Sequence, residues 1–309
     1  MVKRAIVLSG VLLAAAALAV LAGCGQGQDA VEPGAAEPPT PGETVRLLTA
    51  HLADGDLVAF TRDAVTPQVH AGLEQAWSEG RTRWPLDQLP FATHLPRAMA
   101  ALSAPDAERS LMQGFDRQLA NASLASAAEF LTVFTVQFIA QQGDFSVSER
   151  EHYPQLVQAL GNWAAQAPIG DRARAQAAIA AMAGAAREAK LDSDAAFAEA
   201  GMEQGLQRMS RVLATARQVL SDYGLDLAAD LRAMDVQLQS QTGDLARVRL
   251  QYSLAGTPID TVVNMERRDG RWYVSDFLRH AEDAVASQAM PAVPGGEGAD
   301  NTIPSQPSP

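Results

Sequence analysis

The spacing of apolar and polar positions changes character three times along the chain. Residues 5 to 23 are one uncharged apolar run whose only polar side chain is Ser9. Residues 25 to 42 carry almost no large apolar side chain. From 43 to about 230 the apolar positions recur at helical spacing, and from 231 to 280 they alternate.

Within the helical stretch, Glu43 or Thr44 caps a helix through His51, with Val45, Leu48 and Leu52 on one face. Asp54-Gly55-Asp56 breaks it before a short segment starts at Leu57, and Pro85, Pro90 and Pro96 punctuate an irregular stretch. Pro105 stands near the start of the next helix. Phe130, Phe134 and Phe138 then recur every four residues beside Leu131, Val133 and Ile139. With Thr132, Thr135 and Gln137 among them the run is too short and too polar to span a membrane, so it predicts a central buried helix rather than a membrane-dipping one. Ser148 with Glu151 offers a capping box, and the alanine-dense residues 171 to 190 suit a closely packed helix. Leu206, Leu213 and Leu220 repeat every seven, as do Met209, Ala216 and Tyr223. A coiled-coil dimer would use such a seam, but fewer than three full heptads point to an intramolecular core helix.

The C-terminal part reads as strands. Met234, Val236 and Leu238 alternate with polar residues, Thr242-Gly243-Asp244 turns the chain, and Ala246 through Leu254 alternate again. Gly256-Thr257 leads into 259 to 267, and Asp269-Gly270 is a preferred two-residue hairpin turn before 271 to 278. That turn sets Met265 opposite Val274 and Val263 opposite Asp276, placing Val263, Met265, Trp272 and Val274 on one face. The expected class is α+β: a mainly helical N-terminal and central region, 43 to 230, packed on a four-stranded antiparallel meander, 231 to 280, as one domain.

The N-terminus carries its own signal. Lys3 and Arg4 precede the apolar run, which ends in Leu21-Ala22-Gly23-Cys24. Charge, apolar core and ending together resemble the signal peptide and lipobox of bacterial lipoproteins. The resemblance implies cleavage after residue 23, acyl chains on Cys24 and lasting attachment to a membrane. Gly25 rather than aspartate after the cysteine implies outer-membrane sorting, with the protein facing the periplasm. Cys24 is the only cysteine of the chain, so the mature domain forms no internal disulfide.

Pro33, Pro38, Pro39 and Pro41 with four glycines make residues 24 to 42 a disordered tether, and the Pro-, Gly- and Ser-rich residues 290 to 309 a disordered tail. Loss of Lys3 and Arg4 leaves 22 basic against 36 acidic side chains, a net charge of −14. Such a surface disfavours nucleic acid as a partner.

The helices followed by a meander ending in Asp269-Gly270-Arg271-Trp272-Tyr273-Val274 resemble envelope proteins with a nuclear transport factor 2-like fold, over about the last 75 residues. That resemblance implies a pocket between sheet and helices, for which Phe130, Phe134, Phe138 and Trp272 are the ligand-lining candidates. Catalytic signatures are missing: the chain holds no HExxH, GxSxG or GxxxxGK, and no cofactor is implied. His51, His70, His94, His152 and His280 are scattered, and Asp54 with Asp56 or Asp192 with Asp194 lack the spacing of a calcium loop. Three readings follow: a non-catalytic envelope lipoprotein that binds or scaffolds an envelope protein, a carrier of lipid or another apolar ligand, and a hydrolase built on Asp235, Asp260 or Asp276.

Overall fold

A computed structural model describes residues 38–89, 92–120, 124–141 and 145–287. The signal-like run, Cys24, most of the expected tether and the expected tail lie outside the described residues.

Order begins earlier than the apolar pattern predicts. Helix α1 (Pro41–Asp54) is capped by Thr40, whose Oγ1 accepts from Glu43 N at 3.3 Å while Glu43 Oε2 accepts from Thr40 N at 2.8 Å. Glu43 is therefore the reciprocal partner of the cap rather than the cap itself. Gly55, at φ 80°, ends the helix. Asp56 then caps α2 (Leu57–Ala64) and Thr66 caps α3 (Pro67–Ser78). Two 3-10 turns, Leu86–Gln88 and Ala92–His94, lead to α4 (Leu95–Ser103) and α5 (Ala107–Gln118). The long helices follow: α6 (Leu124–Gln141), α7 (Val147–Gln166), α8 (Arg172–Ala189) and α9 (Asp194–Asp222), with a short α10 (Leu227–Arg232) before the sheet.

The seam on α9 is intramolecular, with Leu206, Met209, Val212 and Leu220 buried. It crosses α3 where Gly205 leaves room for the Trp77 ring, whose Cζ2 would stand 2.8 Å from an added Cβ. Trp77 Nε1 donates to Phe197 O at 2.8 Å, so the indole is buried with its one polar group satisfied. Gly201, at φ 71° and ψ 171°, breaks α9 near its first third in a conformation open essentially to glycine alone.

The sheet is an antiparallel meander in the order β1 (Asp235–Thr242), β2 (Leu245–Leu254), β3 (Thr257–Arg268), β4 (Arg271–Val274). The chain is thus α+β, with its strands gathered at the C-terminal end. Ala255-Gly256 and Asp269-Gly270 both take two positive φ values, the geometry of the tight hairpin turn. The first of these turns sits one residue before the expected Gly256-Thr257.

Met265 lies opposite Val274 as the turn requires. Val263 has no partner in β4, because the strand ends at Val274 and Asp276 belongs to helix α11 (Ser275–Ala286). The expected strand beyond Val274 is corrected by its own spacing. Phe277, Leu278, Ala281, Ala284 and Val285 recur every three or four residues and pack as a helix against the core.

One face of the sheet is buried. Ala246, Val248 and Leu250 with Met265, Trp272 and Val274 meet Phe60, Leu73, Trp77, Leu206, Met209 and Leu278 from the helices. At the other end Leu254 and Ile259 meet Ala159, Leu220, Leu225 and Leu227. Packed side chains therefore occupy the layer between sheet and helices. The opposite face is polar along β2 and β3, with Arg249 and Gln251 both bonded to Asp260, while β4 is buried on both sides, Tyr273 included.

Candidate functional site

Helix α6 is inside out. Its buried positions are Ala128, Thr132 and Ile139, with Leu131, Thr135 and Val136 half-buried, and the Thr132 hydroxyl donates to Ala128 O at 2.7 Å. Its three phenylalanines and Val133 face outward. Phe130 is 70 % exposed, Val133 and Phe134 59 % each and Phe138 45 %. The expectation of a buried central helix is corrected here. The four-residue spacing did identify one face, but that face points to solvent. Phe130 and Phe134 stack on each other along the helix, with ring centroids 6.5 Å apart.

The inward face is small because α7 comes close. A Cβ on Gly161 of α7 would stand 2.0 Å from Thr132 Oγ1, so only glycine fits at that crossing. At the other end Arg150 Nη1 of α7 donates to Ile139 O at 2.6 Å, closing a free carbonyl near the end of α6. Val147, at the start of α7, adds a side chain 74 % exposed. Leaving a large apolar side chain in water forgoes about 1.5–3 kcal/mol of burial. Four on one helical face make a continuous patch of the kind that marks a contact surface.

What fixes α7, and α6 with it, is a buried polar cluster that the sequence spreads over 130 positions. Ser146, not Ser148, caps α7, in a box with Glu149. Glu149, 3 % exposed, accepts at Oε2 from Ser146 N at 2.7 Å and from Arg279 Nη2 of α11 at 2.7 Å, and from the Tyr153 hydroxyl at 3.0 Å. His280 Nε2 stands 3.0 Å from Glu149 Oε1 and 2.9 Å from Arg279 Nη2. The guanidinium can only donate, so a bare Nε2 accepts from Arg279 and a protonated Nε2 donates to Glu149. Ser148 Oγ donates to Asp276 Oδ2 at 2.6 Å. Burial raises the affinity of Glu149 for a proton, but the bonds from His280, Ser146 N and Tyr153 outweigh it and hold the carboxyl down to about 2. Tyr153 is pushed up by burial and by that carboxylate, and so keeps its proton.

This constellation has an acid, a histidine and hydroxyls, yet the Ser148 hydroxyl is directed at a carboxylate rather than at an imidazole. Its chemistry is that of a latch between α7 and α11. Sequence reasoning named Ser148, Asp276 and His280 one by one and missed Glu149, Tyr153 and Arg279. The available signals were the Ser146-to-Glu149 spacing and the helical spacing of Asp276, Arg279 and His280.

The other sequence candidates are dispersed. Trp272 is buried in the main core, whereas Phe130, Phe134 and Phe138 face outward on α6, so these four do not line a common space. Asp235 and Asp260 sit in one row across the sheet with Gln251 between them. Asp260 is bound by Arg249, which lowers its proton affinity, and Asp276 is on α11. Asp54 receives Arg232 at 2.9 Å, Asp56 caps α2 and Asp194 pairs with Arg83. His51 meets Asp63 at 2.9 Å, His70 faces Glu74 on its own helix, His94 precedes α4, and His152 Nε2 pairs with the Tyr252 hydroxyl at 2.8 Å. Among the described residues no group of three or more His, Cys, Asp or Glu could hold a metal, and no helix is long and apolar enough to cross a membrane. An open cleft of about 380 Å³ lies between α5 and α8, lined by Glu108, Met112, Asp116, Arg172 and Gln176. Its charges are largely paired, Arg172 with Asp116 and Glu108 with Arg187.

No family model, no curated protein and no solved structure matches this chain.

Proposed function

We propose that the chain is a membrane-tethered, non-catalytic docking module of the bacterial envelope that meets a protein partner through the outer face of α6. The carrying observation is the outward face of that helix, with Phe130, Val133, Phe134 and Phe138 exposed while Ala128, Thr132 and Ile139 are buried. Support for the tether comes from the lipobox-like Leu21-Ala22-Gly23-Cys24 and the proline-rich residues behind it. A protein partner suits the face better than a lipid surface does. Helices that lie on membranes carry Lys and Arg beside their apolar face, whereas the only charge on α6 is Glu129.

The test uses the full-length chain in intact bacterial cells, with a photoreactive phenylalanine analogue at position 134 and, as control, at the exposed position 203 on α9. A protein adduct from 134 and none from 203 is the expected result. Lipid adducts alone from 134 would favour the apolar-ligand carrier instead, and no adduct from 134 would remove the docking reading.

A further inference from the structure

We propose that the partner covering α6 is a second copy of this chain, in an antiparallel, two-fold pairing centred on Phe134; this rests on the docking reading above. Phe130, Phe134 and Phe138 lie on one i, i+4, i+8 row. Two copies of such a row interdigitate at a crossing near −50°, the commonest arrangement of packed helices. The row is its own complement, so one patch used twice closes the interface without a second surface. In the antiparallel sense Phe134 of one copy meets Phe134 of the other, and Phe130 meets Phe138.

The area fits a reversible pair. Taking about 200 Å² for a whole phenylalanine side chain, the exposed fractions of the three phenylalanines leave roughly 350 Å² of apolar surface per copy, and Val133 brings it to roughly 400 Å². Two copies with their polar rims of Ser126, Gln137 and Gln141 then reach about 1,000 Å², below the roughly 1,200 Å² at which stable interfaces begin and within the range of weak, reversible ones. Lipid attachment would confine the copies to one surface and raise their effective concentration.

Charge also selects this arrangement. A lipid-attached chain with a net charge of −14 repels its own kind over most of its surface, and α6 offers a face with a single charge, Glu129. Glu129 stands five residues from Phe134. The antiparallel sense therefore places the two copies of it about ten residues of rise apart, about 15 Å, beyond the screening length of about 8 Å at physiological salt. A parallel pairing would bring them closer.

The experiment co-expresses two full-length copies with different tags, one carrying the photoreactive analogue at 134. An adduct at twice the chain mass that bears both tags is expected, with at least a tenfold loss when the other copy carries Phe134→Asp. Far-UV circular dichroism checks that this variant is folded, and the analogue at 130 provides a second reading that needs no charged substitution. Adducts with a different protein and none with both tags would overturn the self-association while leaving the docking reading in place. Adducts with no protein at all would remove both.

Discussion

Thr132 and Gly161 meet so closely that a single methyl group on the glycine would stand 2.0 Å from the threonine hydroxyl oxygen. The contact sets how near α6 can lie to α7, and so which face of α6 is left outside. Gly161→Ala is expected to lower stability by roughly 1–3 kcal/mol through overpacking, and adding Thr132→Ala should recover part of the loss. Equilibrium denaturation of the single and double variants checks this. Equal losses in both would show that the two residues do not meet.

The Glu149 cluster gives a second expectation. A carboxyl that titrates at about 2 in the fold and at 4.5 outside it contributes stability above 4.5, and the contribution is lost as the pH falls through 2. Arg279→Ala, which strips one donor from a buried carboxylate, should cost roughly 1–3 kcal/mol at neutral pH and flatten the loss between pH 4.5 and 2. Denaturation midpoints across that range should converge for the wild type and the variant. Parallel curves would place the acid sensitivity elsewhere.

His152 predicts a separate window. Burial lowers its proton affinity from 6.5 to about 4, so between those values the unfolded chain takes a proton that the folded chain does not. The contribution of His152 is complete above pH 6.5 and is lost towards pH 4, by up to about 3 kcal/mol at about 1.4 kcal/mol per unit. His152→Gln should remove this slope. A variant with the wild-type slope between pH 6.5 and 4 would contradict the assignment.

Arg217 on α9 predicts a stabilising substitution. It is buried, its Nε and Nη1 have no partner among the described residues, and burial followed by the nearby charge of Arg232 lowers its proton affinity to about 10. An unpaired buried cation costs more than an apolar chain of similar length. Arg217→Met is expected to raise the melting temperature by a few degrees, about 1 kcal/mol or more, and a lower melting temperature would show that the guanidinium is satisfied after all.

The meander was legible because each of its signals is local: alternation along β2 and β3, and Asp269-Gly270 at a turn that requires two positive φ values. The α9 seam was legible for the same reason. α11 was misread where its first residues follow β4 without a break, since Trp272 and Val274 alternate and the helical recurrence starts only at Phe277. The direction of α6 was not legible at all. Periodicity shows which residues share a face, but whether that face finds a neighbour depends on Gly161 and α7, about thirty residues away. The latch on Glu149 joins positions 130 apart, and nothing in either segment names the other.

The central claim is that the phenylalanines of α6 serve contacts outside the fold and not the core. The unfolding free energy of the Phe130→Ala/Phe134→Ala/Phe138→Ala triple variant, measured at the lowest protein concentration that gives a signal, tests it most directly, with Phe197→Ala in the buried core as the reference. The account predicts a change within about 1 kcal/mol for the triple variant against a loss of about 3–5 kcal/mol for Phe197→Ala. A loss in the triple variant as large as the reference would place the α6 phenylalanines inside the fold and contradict the account.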